Sequence, residues 1–207
     1  MDPHREEMST RGQLRDARVL VEGREAMGTR VTLTYKDYEA LPADGRRYEL
    51  HEGELSVTPA PSPKHQRVSG RLYRLLQTYV ETRRLAEVLY SPIDCILSNT
   101  TIVQPDMAYL DTERQSAISG RGIEGPPTLV VEILSPSTAQ IDRGAKHQLY
   151  ARYGVPYYWI VDPEARTIEA YRLALGMYEL TARMEGTMKI GIAPFSELIL
   201  DPATVWA

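Results

Sequence analysis

The chain has 207 residues, 43% of them hydrophobic and 25% charged, the usage of a folded globular protein, which excludes disorder for its bulk. At a mode of roughly 100–150 residues per domain, that length means one domain with appendages or at most two small ones. Lysine plus arginine is 24 against 28 aspartates and glutamates, a formal charge of -4, so the chain is no bulk polycation and a nucleic-acid partner would need a locally basic face.

Residues 1–30 balance arginines (5, 11, 15, 18, 24, 30) against acids and carry few large apolar side chains, the composition of a poorly ordered tail ahead of a domain at 31–207. Met27, followed by GTRVTLTYKDYEALP, is a second candidate start of translation. MDPHREEMSTRGQ lacks the apolar stretch of a secretory signal, and nowhere does the chain reach the ~20 apolar residues of a membrane span. The expected compartment is the cytoplasm, with no membrane partner.

Thr34 can cap a short helix with Asp37 in its first turn and Leu41-Pro42 closing it. In YELHEGELSV a two-residue Glu52-Gly53 loop predicts a hairpin that pairs Leu50 with Leu55 and Tyr48 with Val57, giving one apolar face. Its other face holds Glu49, His51, Glu54 and Ser56, more polar chemistry than plain solvent requires. After the proline-rich TPAPSPKHQ, Ser62 as N-cap and Pro63 open an amphipathic helix whose Val68, Leu72, Leu75, Leu76 and Tyr79 fall on one face. Lys64, Arg67, Arg71 and Arg74 lie on a neighbouring face, the locally basic element that the net charge does not show; a solvated helix face is the plainer reading. Three strand-like runs follow, AEVLYSPIDCILS, TIVQPDMAYL and PPTLVVEIL, the last with the continuous apolarity of a strand buried on both faces. Ser137, with Gln140 three residues later, predicts a capping box for a helix running to about Tyr153 and ended by Gly154. YYWIVDP is a further strand, and RTIEAYRL with GMYELTA a final antiparallel pair. The order helix, strand, strand, strand, helix, strand is that of an α/β (α+β) domain.

Two acids stand in settings where acids are rare: Asp106 after Pro105 in a β-rich run, and Glu132 inside Leu129–Leu134. On neighbouring strands two such carboxylates can approach within about 4 Å, where repulsion is of order 4 kcal/mol at an effective dielectric near 20. A divalent cation removes that repulsion, and Mg2+ suits a site with few carboxylates and several waters. With Cys95 the only cysteine, no intramolecular disulfide or thiolate zinc cluster can form, and Cys95 itself reads as a small core residue. Lys146, one turn after Asp142, reads from spacing as an ion pair worth roughly 0.3–0.5 kcal/mol, or else as a cation directed at the carboxylates. His65 is either a first-turn polar residue or a base or phosphate contact, and Glu54 either an arginine partner or a third oxygen ligand.

YELHEGEL, SPKHQRV, QPDMAYL, PPTLVVEILSPST, the segment from Asp142 to Lys146 and GVPYYWIVDP together resemble the Uma-type restriction endonuclease family, a branch of the PD-(D/E)XK nuclease superfamily. The resemblance runs from about Thr32 onward. It implies a restriction-endonuclease-like αβββαβ core with a mixed central sheet, preceded by the N-terminal hairpin and followed by the C-terminal strand pair. It also implies an Mg2+-dependent endonuclease, with Mn2+ as substitute metal, acting on DNA. Asp106 then matches the PD acid and Glu132 the second acid, with the Ile133 carbonyl as a further ligand; to these the reading of the residues themselves adds Glu54 as a candidate ligand and His65 as a candidate catalytic group. The superfamily's lysine belongs at position 134, where this chain has Leu134, and Lys146 takes its place as catalytic candidate. Lys64, Arg67, Arg71 and Arg74 become the backbone-binding set. The rival reading is a nuclease-like scaffold that binds nucleic acid or a partner protein without cutting, favoured by Leu134 and the net acidity. Strandedness, sequence specificity and whether the chain forms a homodimer are left open.

Overall fold

The computed structural model describes residues 31–136 and 138–207, so the tail at 1–30, the start at Met27 and the Ser137 cap lie outside the described residues. Thr34 opens helix α1 (Tyr35–Glu39) as expected: the Asp37 carboxylate accepts from its backbone N–H at 2.8 Å and its hydroxyl at 2.7 Å. The hairpin of β1 (Arg47–His51) and β2 (Glu54–Thr58) has the predicted register, Tyr48 opposite Val57 and Leu50 opposite Leu55. Its loop turns through positive φ at Glu52 (53°) and Gly53 (86°), the type I′ geometry that suits two-residue hairpins. The faces differ from expectation. Val57 is 48% exposed on the apolar side, whereas Glu49 on the polar side is only 2% exposed.

Helix α2 (Pro63–Arg83) begins at Ser62, whose Oγ accepts the His65 N–H at 3.2 Å. It buries Val68, Leu72, Leu76, Tyr79 and Val80, together with His65, while Leu75 is only partly covered. Full burial of Leu72 and Leu76 contributes roughly 1.5–3 kcal/mol each. The next two strand-like runs each divide between two sheets. AEVLYSPIDCILS supplies β3 (Glu87–Tyr90) and β4 (Cys95–Ser98), and TIVQPDMAYL supplies β5 (Thr101–Val103) and β6 (Met107–Leu110). The breaks contain Pro92 and Pro105, which have no N–H for a ladder.

The short strands β7 (Ile118–Ser119) and β8 (Gly122–Glu124) lead to β9 (Leu129–Ile133). Helix α3 (139–152), which begins after Thr138, contains a π-helical turn, Asp142–Lys146, between its α-helical ends. Then come β10 (Tyr157–Asp162), β11 (Thr167–Ala174), β12 (Met177–Met184), the ribbon β13 (Ile190–Ile192) and β14 (Phe195–Leu200), and α4 (Pro202–Val205). The central sheet has the order β12-β11-β10-β9-β6-β3, parallel only between β9 and β10. In chain order α2, β3, β6, β9, α3 and β10 form the expected αβββαβ core, with β11 and β12 as the C-terminal pair. A second sheet, β2-β1-β5-β4-β8-β7, takes up the hairpin.

The period-2 alternation of β9 divides its side chains between two cores. Leu129, Val131 and Ile133 join the cluster under α2, and Val130 with Leu134 joins the one containing Leu149 and Tyr150 of α3. Glu132 therefore faces α3. Among the described residues no helix is long and apolar enough to cross a membrane.

Candidate active site

Asp106 stands where the chain passes from one sheet to the other, between Val103 at the end of β5 and Met107 at the start of β6. The β6–β9 ladder pairs Met107 with Val131 and Ala108 with Val130, so one step further along the antiparallel register sets Asp106 opposite Glu132. Both acids are almost fully buried, and they line a pocket of about 150 Å³ together with Arg47, His65, Asp142 and Lys146.

Each carboxylate is held differently. Asp106 Oδ2 accepts the Ile133 N–H at 2.8 Å and lies 3.1 Å from His65 Nε2, while Oδ1 is 3.4 Å from Arg47 Nη1. Burial pushes the Asp106 carboxyl up, but His65, Arg47 and the Ile133 N–H outweigh it and keep it below the usual range. Glu132 Oε1 accepts from Lys146 Nζ at 3.1 Å and from the Tyr150 hydroxyl at 2.8 Å. Its carboxyl is pushed up to about 8: burial dominates, and repulsion from Asp142, Asp106 and Glu49 adds to it against the pull of Lys146.

Lys146 is shared. Its Nζ also donates to Glu49 Oε1 at 3.1 Å and lies 3.8 Å from Asp142 Oδ1. The surrounding carboxylates overcome burial and hold the ammonium charged. Asp142 is raised by its burial. Glu49 behaves oppositely to Glu132: burial alone would raise it, but Lys146, His51 and the Gln104 N–H, at 2.6 Å, bring it down to about 2. The π-helical turn carries both Asp142 and Lys146 with their side chains buried, an irregularity that clusters at functional sites.

Thus the structure brings together Asp106, Glu132, Lys146, His65 and Ile133. The i, i+4 pair of Lys146 with Asp142 that spacing alone favours is present at 3.8 Å, but inside a buried cluster and not on a solvent face. Glu54 does not join them: it is exposed at the start of β2, opposite His51, and Glu49 is the hairpin acid that enters the site. Leu134, where the resemblance leads one to expect a lysine, is buried in the apolar cluster. Arg67 and Arg74 are exposed on α2, Arg71 partly so, and Lys64 Nζ pairs with Glu164 at 2.7 Å. Residue-level reading of the sequence missed Arg47, Glu49 and Tyr150. Only the unusual polarity of the hairpin face pointed at any of them.

Among the described residues no three histidine, cysteine or acidic side chains converge as a ready-made metal cage. The two carboxylates that face each other across β6 and β9 can instead supply a small number of oxygens to a hard cation. The acids here also outnumber the cations Arg47 and Lys146, and an added cation would relieve the repulsion that raises Glu132.

The sequence model of the Uma2 family, described as "Putative restriction endonuclease", matches residues 35–202. The fold is similar to the crystal structure of a "putative nuclease belonging to DUF820" from Anabaena variabilis ATCC 29413. That match has a TM-score of 0.69 and 21% identity, covering 84% of this chain and 97% of that one. No curated protein matches the chain.

Proposed function

The chain belongs to the Uma2 family, whose model, described as "Putative restriction endonuclease", spans 35–202, and from that membership and the site we propose that it is a metal-dependent endonuclease hydrolysing phosphodiester bonds of DNA. The observation that carries the reading is the facing pair Asp106 and Glu132, with a lysine delivered to Glu132 at 3.1 Å from α3 instead of from position 134. Asp106 and Glu132 would hold Mg2+, with the Ile133 carbonyl as a further oxygen; Mn2+ is the natural substitute. The metal, when bound, supplies activation of water and neutralisation of charge developing on the phosphate. Binding it requires Glu132 to give up its proton.

The chain's own groups do the rest. Tyr150 and Lys146 fix the Glu132 carboxylate in one orientation, and the Ile133 N–H with His65 fixes that of Asp106. Lys146, which lines the pocket beside Glu132, would stabilise an anionic phosphoryl group there with its ammonium. Lys64, Arg67, Arg71 and Arg74 offer phosphate contacts along α2. The single buried cysteine, Cys95, suits a reducing compartment, for which we propose the cytoplasm.

Leu134 favours one alternative, a nuclease-like scaffold that binds without cutting. Calorimetry separates the two: Mg2+ or Mn2+ binding lost in Asp106→Asn supports the enzyme, and a wild-type protein that binds neither metal points to the scaffold.

A further inference from the structure

Beside the catalytic pocket a second concavity, about 250 Å³, follows α2. Lys64, Arg67 and Arg71 line it from the helix, Arg166 from the β10–β11 turn, and Trp206 from the residue after α4. It shares Arg166 and Trp206 with a larger cavity of about 680 Å³, whose walls also include Thr187, Lys189 and Asp201. That volume falls within the roughly 300–1,000 Å³ usual for ligand pockets. The groove starts next to the catalytic site, since Lys64 precedes His65 in the same helical turn.

Two features identify what the groove takes. The first is charge. In this acidic chain Arg46, Arg114, Arg121, Arg152 and Arg183 each pair with a carboxylate, yet among the described residues Arg67, Arg71 and Arg166 have no ion-pair partner. Arg67 and Arg71 are one turn apart, about 6 Å along the axis, and Arg166 lines the same groove from the β10–β11 turn. Two nearby carboxylates are already paired: Glu164 with Lys64 at 2.7 Å, and Asp201, which lines the larger cavity, with Lys189 at 2.6 Å. The second feature is Trp206. Its indole is half-buried against the α2 core, lines both cavities, and has an enclosed Nε1 with no hydrogen-bond partner among the described residues.

On the nuclease reading above, we infer that this groove binds a single strand of DNA leaving the catalytic pocket, with phosphates on Arg67, Arg71 and Arg166 and an unpaired base against Trp206. Cations alone would serve duplex and single strand equally. An indole in the groove does not, because base faces are free to stack on it only when they are not already stacked within a duplex. Trp206 thus turns a general phosphate track into one that prefers unpaired nucleotides, whatever their sequence.

Tryptophan emission tests this directly. The chain has two tryptophans, and Trp159 is fully buried with its indole N–H bonded to the Ala193 carbonyl at 2.8 Å, so a ligand in the groove reaches only Trp206. The full-length protein in EDTA is titrated with a single-stranded DNA oligonucleotide, its duplex, and single-stranded RNA of the same sequence. Single-stranded DNA is expected to quench emission and to bind tighter than the duplex. Trp206→Ala should weaken it about 5- to 100-fold, Trp206→Phe should retain the melting temperature and lose less, and Arg166→Ala should lower the salt slope by about 0.7. Equal binding of single strand and duplex with unchanged emission overturns the inference, as does tighter binding of RNA. Plasmid nicking with Mg2+ is scored separately. Nicking without quenching discards the groove and leaves the nuclease reading intact; quenching without nicking does the reverse.

Discussion

Glu132→Gln should change the pH dependence of stability in a way that few buried substitutions do. In the folded protein Glu132 holds its proton up to about pH 8, whereas in the unfolded chain it ionises near 4.5. Stability from this group is therefore fully present below pH 4.5 and is lost as pH rises through 8, because the unfolded chain gives up a proton that the folded one retains. At 1.36 kcal/mol per pKa unit the loss at pH 8 is about 4 kcal/mol. Glutamine abolishes it at little structural cost: Tyr150 can still donate to the amide oxygen, and Lys146 keeps Glu49 at 3.1 Å and Asp142 at 3.8 Å. Thermal melts in EDTA from pH 5 to 8 would show the variant gaining on wild type by about 10 °C across that range, taking 2–4 °C per kcal/mol for a chain of this size. A difference between the two proteins that stays constant from pH 5 to 8 would refute the reasoning, since the buried carboxyl would then titrate normally.

Glu49→Gln should behave oppositely. Its carboxyl, held at about 2, contributes stability that is present above pH 4.5 and lost as pH falls toward 2, so the variant should be about 3 kcal/mol less stable than wild type at pH 7 and nearly equal at pH 2 in urea melts. Lys146→Met removes the one ammonium shared by Glu49, Glu132 and Asp142 and should cost about 3–5 kcal/mol at pH 7. Adding Glu132→Gln should restore part of that loss, which a double-mutant cycle by denaturant titration would measure.

The elements set by local patterning were legible in the sequence. The Glu52-Gly53 loop fixed the hairpin register, the apolar spacing from Val68 to Tyr79 fixed the buried face of α2, and one acid in an apolar run marked Glu132. What depends on distant contacts was not. Glu49 meets Lys146 across 97 positions, and nothing near Glu49 distinguishes it from Glu54, on the same hairpin face, except that β1 pairs with β5 while β2 lies at the edge of the second sheet. That sheet was itself hidden, because each of two continuous β-rich runs feeds both sheets through a proline-containing break. The π-helical turn likewise has no signature in an Asp142–Lys146 spacing that suits a surface ion pair equally well. Leu134 argued against activity in the sequence; that a lysine reaches Glu132 at 3.1 Å from α3 could be read only from the three-dimensional position of Lys146.

The central claim is tested most directly by incubating supercoiled plasmid and single-stranded DNA with Mg2+ or Mn2+ and either wild type or Glu132→Gln. The account predicts metal-dependent cleavage by wild type that EDTA stops and the variant lacks. Cleavage that persists in Glu132→Gln, or a wild type that binds metal yet cuts neither substrate, would contradict it.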